Sequence, residues 1–250
     1  YVVVFDDVTI LNQAQRDAAW SEVARRLAHE VKNPLTPIRL AAERLHMKLA
    51  DKLDSSDSAV LDKASGTIVA QVEALRKLVD AFGDYAQEPR LSLESLDLEA
   101  LVSDVVALYQ QGDTSLNFEL RIGATPERLS ADEGRIRQLL HNLMDNAVRY
   151  TDPGGAITVV LETARHSARL VISDTAPGAS EEECGLMFKR LYRLDASRNR
   201  HSGGSGLGLA ICRNIVKAHA GEISARPSPE GGIEVTTVLP MQSRMSQPPY

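Results

Sequence analysis

Apolar residues recur at spacings of three and four along two long stretches in the first third of the chain. The first runs from about residue 12 to residue 49 and the second from about 61 to 82, so each predicts an amphipathic helix. The apolar positions are Ala24, Leu27, Val31, Leu35, Ile38, Ala42, Leu45 and Leu49 in the first stretch and Leu61, Ala64, Ile68, Val72, Leu75, Val79 and Phe82 in the second. The Asp- and Ser-rich segment 54–58 between them supplies turn and N-cap residues. The prediction is a helical hairpin whose exposed apolar stripe is buried by dimerisation into a four-helix bundle, and hence a homodimer.

The pattern changes after the hairpin. Pro89 and the polar residues up to Ser95 are typical of a linker, and a second domain is expected from about residue 95. Its pattern predicts helices at Asp97–Tyr109, Glu133–Tyr150 and Leu207–His219, and strands at Asn117–Ile122, Ala156–Thr163, Ala168–Asp174, Glu222–Ala225 and Glu234–Leu239. This mixed order indicates an α+β sandwich. The polar stretch from Gly178 to Gly204 has weak periodicity and is expected to be a lid loop.

Composition narrows the class of protein. The chain has 250 residues, a formal net charge of -6 and a pI of about 5.6, which disfavours direct contact with nucleic acid. Its two cysteines, Cys184 and Cys212, form neither a CxxC pair nor a cluster with histidines, so neither a disulfide framework nor a structural zinc site is expected. The sequence has no apolar run long enough to span a membrane, and it begins with a β-branched strand-like segment, Tyr1–Phe5. We therefore expect a fragment of a longer protein.

The segment His29-Glu30-Val31-Lys32-Asn33-Pro34 lies within the first predicted helix. With Leu27 at 0° on a helical wheel, His29 lies at about 200°, away from the apolar seam and accessible to another molecule. Glu30 is placed to accept a hydrogen bond from Nδ1–H of His29, which would leave Nε2 as a nucleophile for phosphoryl transfer. The alternative is a solvated surface histidine. Pro34 and Pro37 interrupt the backbone hydrogen bonds, but the seam continues in phase to Leu49, which predicts a bend and not a helix end.

Three further motifs carry candidate binding chemistry. On the helix Glu133–Tyr150, Asn142, Asn146 and Arg149 form one polar stripe, and an amide oxygen there suits Mg²⁺ while the arginine suits phosphate. Asp174 follows a predicted strand, where a buried carboxylate can accept a hydrogen bond from an adenine amino group. A glycine-rich run opens the helix Leu207–His219 and presents its N-terminus to phosphate. Each signal alone is weak, since a polar face is usually solvated and a glycine run is often a hinge.

In this order the motifs resemble the H, N, G1, F and G2 boxes of two-component sensor histidine kinases, over residues from about 15 to 240. The resemblance implies a phosphoacceptor at His29, its base at Glu30 and a water-orienting amide at Asn33. It implies an Mg²⁺ ligand at Asn146 and a Bergerat-type ATP-binding sandwich. The implied ATP-contacting residues are Asn142, Asn146, Arg149, Tyr150, Asp174, Gly178, Arg190, Arg193, Gly204, Gly206, Leu207 and Gly208. The F box is Phe188-Lys189-Arg190-Leu191-Tyr192-Arg193.

The resemblance also implies an organisation and a partner. Residues 1–11 are expected to end an upstream PAS-like domain, 12–90 to dimerise and carry the histidine, 95–241 to bind ATP and 242–250 to form a tail. The first half resembles the nitrogen-regulation NtrY group and the second half the envelope-stress BaeS type, as in a natural mosaic or an engineered chimera. The expected partner is a response-regulator receiver domain, with an NtrX-like one favoured. The chain would be the cytoplasmic portion of an inner-membrane sensor, joined to the membrane only through upstream segments.

One departure and two rival functions remain open in the sequence. The usual G1 pattern is Asp-x-Gly-x-Gly, and here Ala176 takes the place of the first glycine, which would weaken nucleotide binding modestly. A hydrolytic ATPase of the same superfamily would carry a glutamate one turn before the metal-binding asparagine, where this chain has Asn142, a poor base. The second rival is a catalytically inactive scaffold that uses the hairpin only for dimerisation and protein contact. The one feature that favours it is Ala176 in the nucleotide-binding motif.

Overall fold

The computed structural model describes residues 30–86, 91–112, 115–123, 129–164, 167–175, 177–194 and 206–241. The chain divides into two compact units, Tyr1–Gln87 and Glu88–Tyr250. Within the described residues, none of the helices is both long and apolar enough to cross a bilayer.

The first unit is a helical hairpin. Helix α1 covers residues 30–49 of the described chain and is followed by a 3-10 turn at Ala50–Lys52, and α2 covers Ser55–Ala86. Asp54 Oδ1 accepts the backbone N–H groups of Ser56 and Asp57, so this carboxylate caps the start of α2 as expected of an N-cap aspartate. Residues 34 and 37 are both helical, so the helix continues through the two prolines. Residues 12–29 of the first predicted helix lie outside the described part of the chain.

The second unit is a two-layer α/β sandwich. Its elements are β1 (Glu94–Leu96), α3 (Leu98–Gly112), β2 (Asn117–Ile122), β3 (Leu129–Ala131), α4 (Glu133–Tyr150), β4 (Ala156–Ala164), β5 (Ser167–Asp174), α5 (Glu181–Leu186), α6 (Gly208–Ala218), β6 (Glu222–Pro227) and β7 (Ile233–Pro240). The main sheet has the order β2-β4-β5-β7-β6, in which only the β2–β4 pair is parallel. Strands β1 and β3 form a separate antiparallel pair.

Helices α3, α4 and α6 lie side by side against the sheet, since α4 contacts both neighbouring helices and each helix contacts a strand. The apolar face of α4 closes the core with Ile136, Leu139, Leu140, Leu143, Met144 and Ala147. In β5 Ala168, Leu170, Ile172 and Asp174 alternate along one buried face, and Val171 on the other face is buried as well. The predicted α+β sandwich is confirmed.

The structure departs from the sequence expectations for this unit in two places. Residues after Gly178 are not loop throughout, because Glu181–Leu186 forms α5, with a capping box between Ser180 and Glu183. The glutamates of its first turn made the segment read as polar and aperiodic, although negative charge there is favourable to a helix start. Strands β1 and β3 were not predicted: Glu94–Leu96 lies at the expected start of the domain near residue 95 and pairs with Leu129–Ala131.

Candidate nucleotide site

Helix α4 starts where the sequence places it because Asp132 is its N-cap. The carboxylate Oδ1 of Asp132 accepts the backbone N–H of Arg135 at 3.0 Å. From that start, the apolar face of the helix packs inward, while Asn142 and Asn146 are half-buried and Arg149 is exposed near the last turn. The amide stripe therefore lies at the border between core and solvent, where a bound group can reach it.

Helix α6 runs antiparallel to α4, as three contacts along their length show. A Cβ built on Gly208, at the start of α6, would lie 4.0 Å from Asn142 Oδ1. Further along, the Cys212 thiol approaches the carbonyl of Leu139 at 3.9 Å, and near the end of α6 the His219 ring accepts the N–H of Asp132 at 3.1 Å. The amide stripe of α4 is thus brought to the N-terminus of α6.

Polar groups at this junction are suited to a ligand. Asn142 Nδ2 is buried and makes no full hydrogen bond among the described residues, since the nearby Cys212 thiol is only a weak acceptor, so a bound group that accepts its N–H would be favourable. Helix α6 has Leu207 as its N-cap residue, which carries no polar side chain to cap the first turn. Since the first N–H groups of a helix and its dipole attract anions, the opening of α6 suits a phosphate.

Asp174 ends β5, the central strand, and its side chain is buried, with 6% of its surface exposed. Its Oδ1 accepts the N–H of Ile233 at 2.8 Å, so the carboxylate extends the β5–β7 ladder by one hydrogen bond beyond Ser173 and Glu234. Burial raises the pKa of Asp174 to about 6, although the hydrogen bond from Ile233 acts in the opposite direction. A buried carboxylate with a second oxygen is a strong acceptor for a ligand N–H.

Glycines allow the backbone to pack tightly around Asp174. A Cβ at Gly232 would overlap Oδ1 and the carbonyl oxygen of Asp174, so a side chain at this position is excluded. A Cβ at Gly178 would lie 2.6 Å from the carbonyl of Gly231, and Gly231 itself has a φ of +100°. Gly155 faces Thr175, whose hydroxyl accepts the N–H of Ala156 at 2.9 Å. The turn between β6 and β7 is therefore fitted against the end of β5.

A backbone contact closes the segment between α5 and α6. Phe188 is buried and anchors the region after α5, while Leu191 is 68% exposed and has a φ of 58°. The N–H of Leu191 donates to the carbonyl of Gly206 at 3.0 Å, and a Cβ at Gly206 would lie 3.0 Å from Leu191 Cα. Gly206 also has a positive φ of 67°, which a side chain would disfavour. The two ends of the intervening segment are thus held together.

Two family profiles match the chain. Residues 19–89 match the "His Kinase A (phospho-acceptor) domain", and residues 131–243 match the "Histidine kinase-, DNA gyrase B-, and HSP90-like ATPase" domain. The chain belongs to the sensor histidine kinase family.

Named relatives agree with this assignment. The chain is 34% identical over 220 residues to the signal transduction histidine-protein kinase BaeS of Escherichia coli. This alignment covers 86% of this chain and 46% of BaeS. It is 33% identical over 257 residues to the nitrogen regulation protein NtrY of Azorhizobium caulinodans. That alignment covers 99% of this chain and 32% of NtrY. The chain therefore spans less than half the length of these two histidine kinase relatives. Because both alignments run through both domains, the assignment of each half to a different relative stays a prediction.

A solved relative matches the chain across both compact units. The histidine kinase ThkA in complex with the response regulator TrrA superposes with a TM-score of 0.64 at 26% identity, over 95% of this chain and 68% of that one. The fold of a phosphoacceptor hairpin followed by an ATPase-type sandwich is therefore that of the histidine kinase family.

The structure brings together some of the sequence-predicted residues. Asn142, Leu207 and Gly208 meet at the α4–α6 junction, and Gly206 lies directly before it. Asn146 and Tyr150 are half-buried further along α4. Gly178 packs against Gly231 and Gly232 of the β6–β7 turn, which in turn contacts Asp174. Arg190 and Arg193, within the F box, are exposed, and both make interactions within the chain.

Other predicted residues cannot be placed relative to this site. His29, Ala176 and Gly204 lie outside the described residues. Glu30 and Asn33 are exposed on α1, in the other compact unit. The proposed roles of Glu30 and Asn33 in histidine chemistry stay predictions.

Sequence reasoning missed several residues that shape the site. Gly231 and Gly232 carry a hairpin-turn signal, but nothing local links that turn to Asp174. Tyr109 of α3 donates to Asp145 Oδ1 at 2.6 Å and lies 3.2 Å from His141 Nδ1, which fixes α3 against α4 beside the amide stripe. Burial, followed by the hydrogen bond to Asp145, raises the pKa of Tyr109 well above its ordinary value. Contacts between distant segments of this kind leave no periodic signal in a sequence.

We predict that Asp174→Asn folds normally but loses nucleotide affinity. The asparagine side chain keeps one oxygen to accept the N–H of Ile233. Its NH₂ group then replaces the second carboxylate oxygen and, as a donor, repels the amino group of the ligand. Removing the buried charge should also raise the free energy of unfolding at neutral pH. The gain is about 3 kcal/mol at most for a pKa raised from 3.8 to about 6. Calorimetric titration with ATP and thermal unfolding of the same sample measure both effects. Asp152→Asn, an exposed carboxylate after α4, is the matched control.

The same carboxylate sets the expected pH dependence. A raised pKa means that the ionised form destabilises the fold, so this destabilisation is absent below pH about 4, grows between about 4 and 6, and is complete above about 6. Nucleotide affinity should run the other way and fall as the pH drops through about 6, because a neutral acid is a weaker acceptor. An affinity that is flat between pH 5 and 7.5 in the wild type would contradict the assigned role of Asp174.

Proposed function

We propose that this chain takes the γ-phosphoryl group of ATP onto His29 and passes it to the aspartate of a response-regulator receiver domain, and that it also dephosphorylates that regulator. The observation that carries the proposal is the junction of α4 and α6, where the half-buried Asn142 lies next to the N-terminus of α6, in a domain whose central strand ends in the buried carboxylate of Asp174. This junction occurs in one chain with a phosphoacceptor hairpin.

The residues present fit ATP with Mg²⁺. The free oxygen of Asp174 would accept the adenine amino group, and the opening of α6 with Gly206 and Gly208 would hold phosphate oxygens. Asn146 would give an amide oxygen to Mg²⁺, which would screen the phosphate charge during transfer. Asn142, Arg149, Tyr150, Arg190 and Arg193 would line the same cleft, Gly178 its wall and Gly204 the segment before α6.

His29 would supply the nucleophile. Its neutral Nε2 would attack the γ-phosphorus, the bond to the leaving ADP oxygen would break, and Glu30 would take the proton from the other ring nitrogen. Asn33, one turn away on the same helix, would orient water for hydrolysis of the phosphorylated regulator. That the chain forms the cytoplasmic part of an inner-membrane sensor stays a prediction.

The decisive test is incubation with radiolabelled ATP and Mg²⁺, followed by a denaturing gel and acid treatment. We predict acid-labile label on the wild type and none on His29→Gln, which should still bind ATP because the nucleotide site belongs to the other compact unit. His46→Gln is the matched control: His46 lies in the same hairpin, half-exposed and bonded to Asp62 at 2.8 Å. Free phosphate without labelled protein would indicate an ATPase, and neither product would indicate a scaffold.

A second copy of the chain is the proposed partner of the hairpin's apolar face. In one chain Leu35, Ala42 and Val72 are buried between α1 and α2, but a neighbouring stripe stays open. Its members are Val31, Ile38, Leu45, Ile68 and Leu75, each between 40% and 53% exposed. The stripe lies about 40–80° around each helix from the buried seam, as expected of residues that face two further helices in a four-helix bundle.

We predict that Leu45→Glu converts the dimer to a monomer, because an unpaired carboxylate in the bundle core costs on the order of a few kcal/mol for each copy. Met47→Glu is the control, since Met47 is 77% exposed and points away from the stripe. Analytical ultracentrifugation of both variants gives the answer. A dimer that withstands Leu45→Glu would contradict the proposed interface.

The regulator is proposed to dock on the hairpin, because its aspartate must reach His29. The structure of ThkA with TrrA supports a receiver as the partner class. Since the hairpin sequence resembles the nitrogen-regulation group, we propose an NtrX-like receiver. Time-resolved phosphotransfer to purified receivers of the NtrX-like and envelope-stress types should be faster for the first. Faster transfer to the second would show that the hairpin does not set the pairing.

A further inference from the structure

A hydrogen-bonded node joins three segments of the ATPase-type domain at the end opposite the nucleotide junction. Asp132 lies at its centre: Oδ1 caps α4 through Arg135, and Oδ2 accepts the N–H of Ser92 at 2.9 Å. Burial tends to raise the pKa of Asp132, but the N–H groups of Ser92 and Arg135 outweigh it and hold the pKa below its ordinary value. The carboxylate is therefore ionised, and both oxygens accept.

His219 completes the node from the end of α6. The residue is buried, with 6% of its surface exposed. Its Nδ1 lies 2.8 Å from the carbonyl of Ile215, which can only accept, so Nδ1 carries the proton. Its Nε2 then accepts the N–H of Asp132 at 3.1 Å. The ring, in the orientation these two hydrogen bonds define, thus joins the end of α6 to the N-cap residue of α4.

The node holds the two helices that carry the nucleotide residues. Because α4 and α6 are antiparallel, the contact between Asp132 and His219 fixes one end of the pair, and the other end places Asn142 beside Gly208. A shift of one helix along the other would move the amide stripe relative to the opening of α6. A displacement on the order of 1 Å is enough to weaken a bound-ligand geometry substantially.

The node also receives the linker from the hairpin. Ser92 follows the segment that joins the two compact units and precedes β1, which pairs with β3 directly before Asp132. The bond from Ser92 to Asp132 Oδ2 therefore attaches the end of the linker to the start of α4. A change in the position of the linker would therefore act on the start of α4 through the Ser92–Asp132 hydrogen bond. It would act on the end of α6 through the Asp132–His219 hydrogen bond.

We infer that Asp132 and His219 are positioning residues: together they set the register of α4 against α6 for nucleotide binding, and Asp132 couples that register to the interdomain linker. The inference rests on the proposed function, since it assigns these residues a role in ATP use. Neither side chain touches the nucleotide junction.

The first test removes the ring contact. His219→Leu keeps the volume but has no acceptor for the N–H of Asp132, so affinity for a fluorescent ATP analogue should fall about five- to tenfold, as for a lost positioning contact. His219→Gln places an amide oxygen near the position of Nε2 and should keep affinity within about twofold of wild type. Equal affinity in wild type and His219→Leu would overturn the inference. A wild type that binds no analogue would instead overturn the proposed function.

The second test separates the linker bond from the helix cap. Asp132→Ser keeps an N-cap oxygen for Arg135 but has no second oxygen for Ser92. We expect analogue affinity and thermal stability near wild type, with the rate constant for autophosphorylation at saturating ATP reduced about fivefold, because a looser linker lowers the fraction of productive domain encounters. Should His219→Leu fail to fold, this variant decides alone: an unchanged rate constant would overturn the role of Asp132 in coupling.

Discussion

The antiparallel packing of α4 against α6 is the constraint on which the ATPase-type domain depends. Neither helix carries a complete ligand site by itself: α4 has a stripe of amides, and α6 has an uncapped N-terminus. Two contacts hold the pair in one register, the Cys212 thiol on the carbonyl of Leu139 and the N–H of Asp132 on the ring of His219. In that register Gly208 lies next to Asn142. Both helices also contact the main sheet, α4 at β5 and α6 at β6 and β7, and Asp174 ends β5.

Asp174 lies where its own negative charge destabilises the fold. Its burial at the end of the central strand raises its pKa to about 6, so the ionised form is a net burden at neutral pH. The N–H of Ile233 stabilises the ionised carboxylate in part. Glycine at position 232 leaves room for it, because a side chain there would collide with Asp174. A carboxylate in such a place is best explained by a ligand that hydrogen-bonds to it.

Much of the fold could be predicted from sequence where the signal is local. Helix α4 and strand β2 have the predicted bounds, because strong periodicity and a capping aspartate define the first and alternation defines the second. Helix α5 was not predicted because its six residues span fewer than two turns, too few for a helical period to be recognised. The pair Ser180 and Glu183 nevertheless carries a capping-box signal. Strands β1 and β3 have three residues each, and their pairing is a tertiary contact. For the same reason, nothing near His219 in sequence points to Asp132, whereas the family motifs did point to Asp174 and Asn142.

The central claim is that one nucleotide binds between the end of β5 and the opening of α6. Hydrogen exchange of the full chain, with and without a non-hydrolysable ATP analogue and Mg²⁺, tests it most directly. Binding is predicted to slow exchange at the N–H of Ile233, which is bonded to Asp174, and at the first N–H groups of α6, while amides of α2 remain unchanged. Saturating binding that leaves both Ile233 and the start of α6 unprotected would contradict the account.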